Sequence, residues 1–229
     1  VFADVPDMLP ALEHFPGEAA WTAALAIDAS ADTGGGRRRL TLTSDLRGIA
    51  IDLPAPLAKS AEVAQPFTLA IDLPFIGQAF SATLGDLAAV RGRLPAPGKP
   101  FAASIAFGAQ PTTDLPARGA MIGGHVSMFD AGGWLDLVEM KPDGGNSAGS
   151  LIAGIDIGAD DFTIAGRSFG ATRLMVGDKV DATELKLDGA DVAGTLSIPA
   201  QDIAHRGVTA RFERFHWPDA PPDAPESNA

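Results

Sequence analysis

The stretch Leu185–Pro199, LKLDGADVAGTLSIP, decides the fold class. Leu185 and Leu187 alternate with polar residues, and so do Leu196 and Ile198. Between them lies Asp188-Gly189, a turn signal. A period of two puts one face of each run toward an apolar layer, and a short Gly/Asp turn folds the runs back on one another. The stretch predicts a β-hairpin.

The same rhythm runs outward in both directions. Upstream come Ile155/Ile157, Phe162/Ile164 and Leu174/Val176, separated by Ala159-Asp160-Asp161, Gly166-Arg167 and Gly177-Asp178-Lys179. Downstream come Val208, Ala210 and Phe212. Residues 150–217 therefore read as consecutive antiparallel strands in a meander. In the first half, alternation marks Trp21-Ala23-Leu25-Ile27, Leu40/Leu42, Ile49–Leu53, Phe67–Leu73, Phe80-Ala82-Leu84 and Phe101–Phe107. Helical signal is sparse. Asp130 precedes an apolar stripe of Trp134, Leu135 and Val138, which predicts a short capped helix, and a helical turn is expected over Pro6–Glu13. Lys141–Gly149 reads as a loop or a boundary between two halves of one sheet system. The Pro- and Asp-rich residues 218–229 read as a tail or linker after a single β domain over residues 1–217.

Composition narrows the function. The chain has 229 residues, 46% of them hydrophobic, and a net charge of −12. That balance disfavours nucleic acid. The cluster Arg37-Arg38-Arg39, after Gly34-Gly35-Gly36, reads as a strand start beside a loop. Cysteine is absent, so neither disulfides nor thiolate chemistry is available. No apolar run reaches the roughly 18 residues of a membrane span. A chain that begins at Val1 is expected to be a piece of a longer protein.

Candidate chemistry is thin. Gly145-Asn146-Ser147-Ala148-Gly149 matches G-x-S-x-G, but Lys141-Pro142-Asp143-Gly144 before it is no strand, so a loop is expected. His14, His125, His205 and His216 form no ligand pair, and Asp160-Asp161 and Asp188–Asp191 lack a calcium-loop pattern. No catalytic residue, metal or cofactor is expected. Tyrosine is missing, and only Trp21, Trp134 and Trp217 could build a sugar platform. The apolar faces are aliphatic. They could be the closed core of a β-sandwich serving as a binding or scaffold module, carbohydrate binding included, or the wall of a groove for acyl chains.

A second stretch carries a family resemblance. Ser44, Leu46, Gly48, Leu53, Pro54, Pro56, Leu57 and Lys59 in SDLRGIAIDLPAPLAK (44–59) match, position by position, a pattern of the YhdP branch of the AsmA-like proteins. Gly17–Trp21, Gly124–Leu137, Arg167–Gly170 and Leu185–Pro199 resemble further family segments in the expected order. In local terms, Leu46 and Gly48 let the chain bend, Pro54 and Pro56 make the strand end or lie at an edge, Leu57 plugs an end of the apolar layer and Lys59 stays wet.

The resemblance implies an elongated, mainly antiparallel sheet folded over on itself, with an apolar groove and one or two short helices. It implies a section near the C-terminal part of a periplasmic protein held in the inner membrane by an anchor outside this stretch. Such a protein conducts phospholipid between inner and outer membranes without chemistry of its own. The partners implied are phospholipid acyl chains and the remaining domains of the parent. The expected groove lining is Leu69, Ile71, Ile105, Phe107, Ile155, Ile157, Ile164, Leu185, Leu187, Leu196, Ile198 and Phe212.

Overall fold

The computed structural model describes residues 13–27, 38–108, 110, 114–139, 152–179, 181–201 and 203–218. Thirteen strands join one sheet. In chain order they are β1 (Thr22–Ile27), β2 (Arg38–Ser44), β3 (Phe67–Leu73), β4 (Ala79–Leu84), β5 (Ala88–Arg93), β6 (Ala102–Phe107) and β7 (Gly119–Asp130). Then follow β8 (Ile152–Ile164), β9 (Arg167–Ser168), β10 (Thr172–Asp178), β11 (Ala182–Gly189), β12 (Val192–Pro199) and β13 (Thr209–Phe215). Among the described residues there are two helices, α1 (Ala131–Glu139) and α2 (Ile203–Arg206). Spatial order follows chain order, with the short β9 set aside on β8. The sheet is mainly β and mostly antiparallel, as expected, and the two edges are β1 and β13.

The opening hairpin is present. β11 and β12 pair antiparallel, Leu185 opposite Leu196, across the two-residue turn Ala190-Asp191. Three expectations shift. Alternation cannot encode pairing direction, and at the centre of the sheet β7 pairs parallel with both β6 and β8. Ile155/Ile157 and Phe162/Ile164 lie on one strand, not two. β8 continues through Ala159-Asp160-Asp161, where its alternation changes phase so that Ala159 and Phe162 are both buried. The turn comes at Ala165-Gly166. Ile49–Leu53 is not a strand but part of the long β2–β3 connection, held by the single bridges Gly17–Ile49 and Ile51–Lys59.

That connection explains the 44–59 pattern. Leu46 (φ 49°) and Gly48 (φ 98°) turn the chain left-handed. A Cβ on Gly48 would sit 2.1 Å from the Glu18 carbonyl oxygen, so glycine is required there. Ser44 Oγ accepts from the Leu46 amide at 3.0 Å. Ile51 is buried and Leu57 packs against the main core, as a plug should. Lys59 is not left in solvent. Its half-buried ammonium donates to the carbonyls of Leu46 (2.9 Å), Ile49 (2.6 Å) and Ser60 (3.0 Å), tying both arms of the loop together.

α1 forms where the capping signal placed it. The Gly133 amide donates to Asp130 Oδ1 at 3.0 Å. Trp134 Nε1 donates to the Ala55 carbonyl at 3.0 Å, which docks the helix on the β2–β3 connection. Gly133 permits that approach, because a Cβ there would meet Pro54 Cγ at 2.9 Å. The core lies beneath this contact. It gathers Phe107, Val126, Phe129, Ile157, Phe162, Phe169, Leu174 and Val192, with Phe129 and Phe162 stacked at 5.8 Å. The expected turn of helix over residues 6–13 lies outside the described residues except at Glu13, and loop 141–149 and tail 219–229 lie wholly outside them.

Candidate functional site

Residues opposite one another in a ladder share a face. Following the register from edge to edge therefore reads out each face. One row runs Ala23, Leu42, Leu69, Ala82, Val90, Ile105, Ile122, Ile155, Val176, Leu185, Leu196, Ala210. Every strand on the main path contributes, and every contribution is aliphatic. One residue along, the opposite face reads Thr22, Thr43, Thr68, Thr83, Ala89, Ala106, Gly123, Asp156, Met175, Lys186, Thr195, Arg211. The sheet is two-faced, with the second face polar toward both edges and built of small residues, Ala89, Ala106 and Gly123, at its centre.

From Leu42 to Leu196 the aliphatic row is half-buried at every strand, and its two end members, Ala23 and Ala210, are exposed. The parallel row through Phe107, Ile157 and Leu174 is buried instead. Those residues lie in the core that α1, the β2–β3 connection and Leu57 cover. The apolar face is thus closed along one margin and left partly uncovered along the adjacent row. Two hollows of about 370 and 280 Å³ lie elsewhere, and no member of the row lines either. The row offers surface, not a chamber.

The twelve expected lining residues fall out as follows. Leu69, Ile105, Ile155, Leu185 and Leu196 stand in the half-buried row. Ile71 and Ile198 stand one step along the same face, on the side away from Phe107. Phe107, Ile157, Leu187 and Phe212 stand one step the other way, with Phe107 and Ile157 buried and Phe212 46% exposed. Ile164 lies past the phase change in β8 and packs against the core. Sequence reading missed Val90 and Ile122, because β5 and β7 are rich in Ala and Gly. The available signal was Ala120, Ile122, Gly124 and Val126 at period two.

The polar face is held by ion pairs. Arg173 grips Asp156 with two bonds of 2.6 Å. That hydrogen-bonded guanidinium holds the Asp156 carboxyl below the usual carboxylate range. His125 Nε2 meets Asp160 at 2.9 Å. Ser168 donates to Asp161, so these bonds do not join a serine to a histidine. Ser147 lies outside the described residues. Among the described residues no group of three His, Asp or Glu side chains could hold a metal ion. The tryptophans form no shared platform. Trp134 is bonded to Ala55, Trp21 meets Phe67 edge-on, and Trp217 lies under Arg167 beyond the other edge of the sheet. No described helix is long and apolar enough to cross a membrane.

No curated protein and no solved structure matches this chain. The family model described as YhdP protein matches residues 4–229. With nearly the whole sequence covered, and with the 44–59 pattern folded into the Lys59-tied connection, the chain belongs to the YhdP protein family.

Proposed function

We propose that this chain is a section of an AsmA-like envelope protein that passes phospholipid between the inner and outer membranes, its acyl chains moving along the aliphatic row. The periplasmic setting and the inner-membrane anchor belong to the same reading. The observation that carries it is the row itself, aliphatic at every strand and half-buried from Leu42 to Leu196. With strands about 4.8 Å apart, twelve of them extend the row over roughly 50 Å, at right angles to the strands. A hydrocarbon chain laid there gains about 0.8 kcal/mol for each methylene removed from water. The gain is similar at each strand, so no position traps the lipid. The Phe107–Ile157–Leu174 margin acts as the floor.

The test is native mass spectrometry of the purified chain for co-purified phospholipid. Leu185→Asp is the informative variant, because Leu185 is half-buried and packs at the margin of the core, whereas Ile157 is 4% exposed within it and its replacement would unfold the sheet. Lys186→Glu, on the opposite face, is the control. Wild type and K186E should retain phospholipid, and L185D should lose it while still unfolding cooperatively, with a lowered melting temperature because Leu185 borders the core. Lipid-free wild type, or equal lipid on L185D, would refute the reading.

A further inference from the structure

One end of the sheet carries an apolar tip within a basic surround. The tip is the β3–β4 connection, Pro74–Gln78. Ile76 is 70% exposed, the most exposed large apolar side chain among the described residues, and its neighbour Phe75 is 44% exposed. The tip is braced. Gly77 donates to the Pro95 carbonyl at 3.0 Å and Leu94 donates to the Gln78 carbonyl at 2.9 Å. The adjacent β5–β6 connection is itself closed by the Ala96–Lys99 bridge. Phe75 and Ile76 are therefore displayed by two interlocked turns.

Ladder register places the charges. Ile27, 62% exposed, pairs with Arg38, and Arg38 pairs with Leu73 at the base of the tip. Arg93 ends β5, Lys99 is exposed on the second turn, and Arg118 is exposed just before β7 starts beside Ala102. Arg93 Nε is buried and lacks a protein partner. The carboxylates among the described residues here are Asp72, ion-paired with Arg39, and Asp114. A chain of net charge −12 has gathered cations around Ile76, the most exposed large apolar side chain among the described residues.

We infer that this end of the sheet docks on an anionic lipid surface, with Phe75 and Ile76 entering the headgroup boundary and Arg38, Lys99 and Arg118 meeting lipid phosphates. Apolar side chains ringed by cations gain from burial and from surface potential together. A soluble anion would engage the cations but leave Ile76 in water. A protein partner would have no reason to depend on lipid charge. The inference goes beyond transport, since docking here does not require the aliphatic row.

Flotation of the full chain with vesicles tests it, using phosphatidylcholine alone and phosphatidylcholine mixed with phosphatidylglycerol. Binding should require phosphatidylglycerol and fade as salt shortens the Debye length from about 10 Å at 0.1 M to about 3 Å at 1 M. Each unit charge near such a surface contributes roughly fivefold in partitioning, so Lys99→Glu, a change of two charges, should cost about twenty-five-fold. Ile76→Ser should weaken binding at every salt concentration, while Lys186→Glu, the same charge reversal on an exposed residue of β11, should change it little. Because Ile76 and Lys99 are exposed, melting curves of both variants should match wild type. Equal binding to both vesicles, no binding, or unaltered binding by K99E and I76S would overturn the inference. So would a self-associated species by sedimentation velocity that I76S dissolves, which would assign the tip to a second copy of the chain.

Discussion

Replacing Lys59 with methionine removes an ammonium that satisfies three carbonyls while keeping most of the side chain's length. Two of its acceptors, Leu46 O and Ile49 O, are engaged in partly buried bonds, and the third, Ser60 O, in an exposed one. A hydrogen bond to a charged group contributes about 1.5–3 kcal/mol net. Taking the lower figure for the two sheltered bonds and nothing for the third gives a loss of about 3 kcal/mol. For a chain of this length that lowers the melting temperature by roughly 6–12 °C. Urea unfolding followed by tryptophan emission is the suitable assay, because Trp134 is bonded to Ala55 in the same connection and senses its release. The midpoint should fall with the slope unchanged. Lys186→Met, an exposed change on the polar face, should stay within about 0.5 kcal/mol of wild type. A loss below about 1 kcal/mol for K59M would refute the account of Lys59 as the tie of the connection.

Phe169 is fully buried and meets Phe215 at 6.1 Å and Trp217 at 5.8 Å. Phe169→Ala should cost about 3–5 kcal/mol by chemical denaturation and loosen the β13 edge in hydrogen exchange. Arg173→Gln should change the acid limb of stability. Asp156 has its carboxyl lowered by Arg173, so the stabilisation is present above the unfolded carboxylate value of about 3.9 and is lost as pH falls through the folded one. Thermal scans should show R173Q less stable than wild type at pH 7, with the two curves converging toward pH 3. Parallel curves over that range would contradict the assignment.

Much of this architecture was legible in the residues. β3, β6, β11 and β12 announce themselves because Leu, Ile and Phe alternate with small or polar partners. Asp130 and Trp134 announce α1 by the same local logic. β5 and β7 do not, because AAVRGR and GAMIGG contain too few large side chains for the alternation to register. Ile49–Leu53 alternates yet is no strand, since the positive φ at Leu46 and Gly48 and the prolines that follow leave the ladder nothing to continue. Parallel pairing at β7 is a long-range choice that periodicity does not encode. Nor could alternation tell Leu185, left half-buried, from Ile157, sealed beneath the core. That difference depends on where α1 and the β2–β3 connection come to rest.

The aliphatic row crosses the strands instead of following them, and so its span is counted in backbones and not in residues along any one of them. Lengthening a strand widens the ribbon and adds nothing to the span. Inserting a hairpin adds about 10 Å and preserves the facing of every existing side chain. Reach in such a sheet therefore changes in whole hairpin increments, like the rungs of an extension ladder.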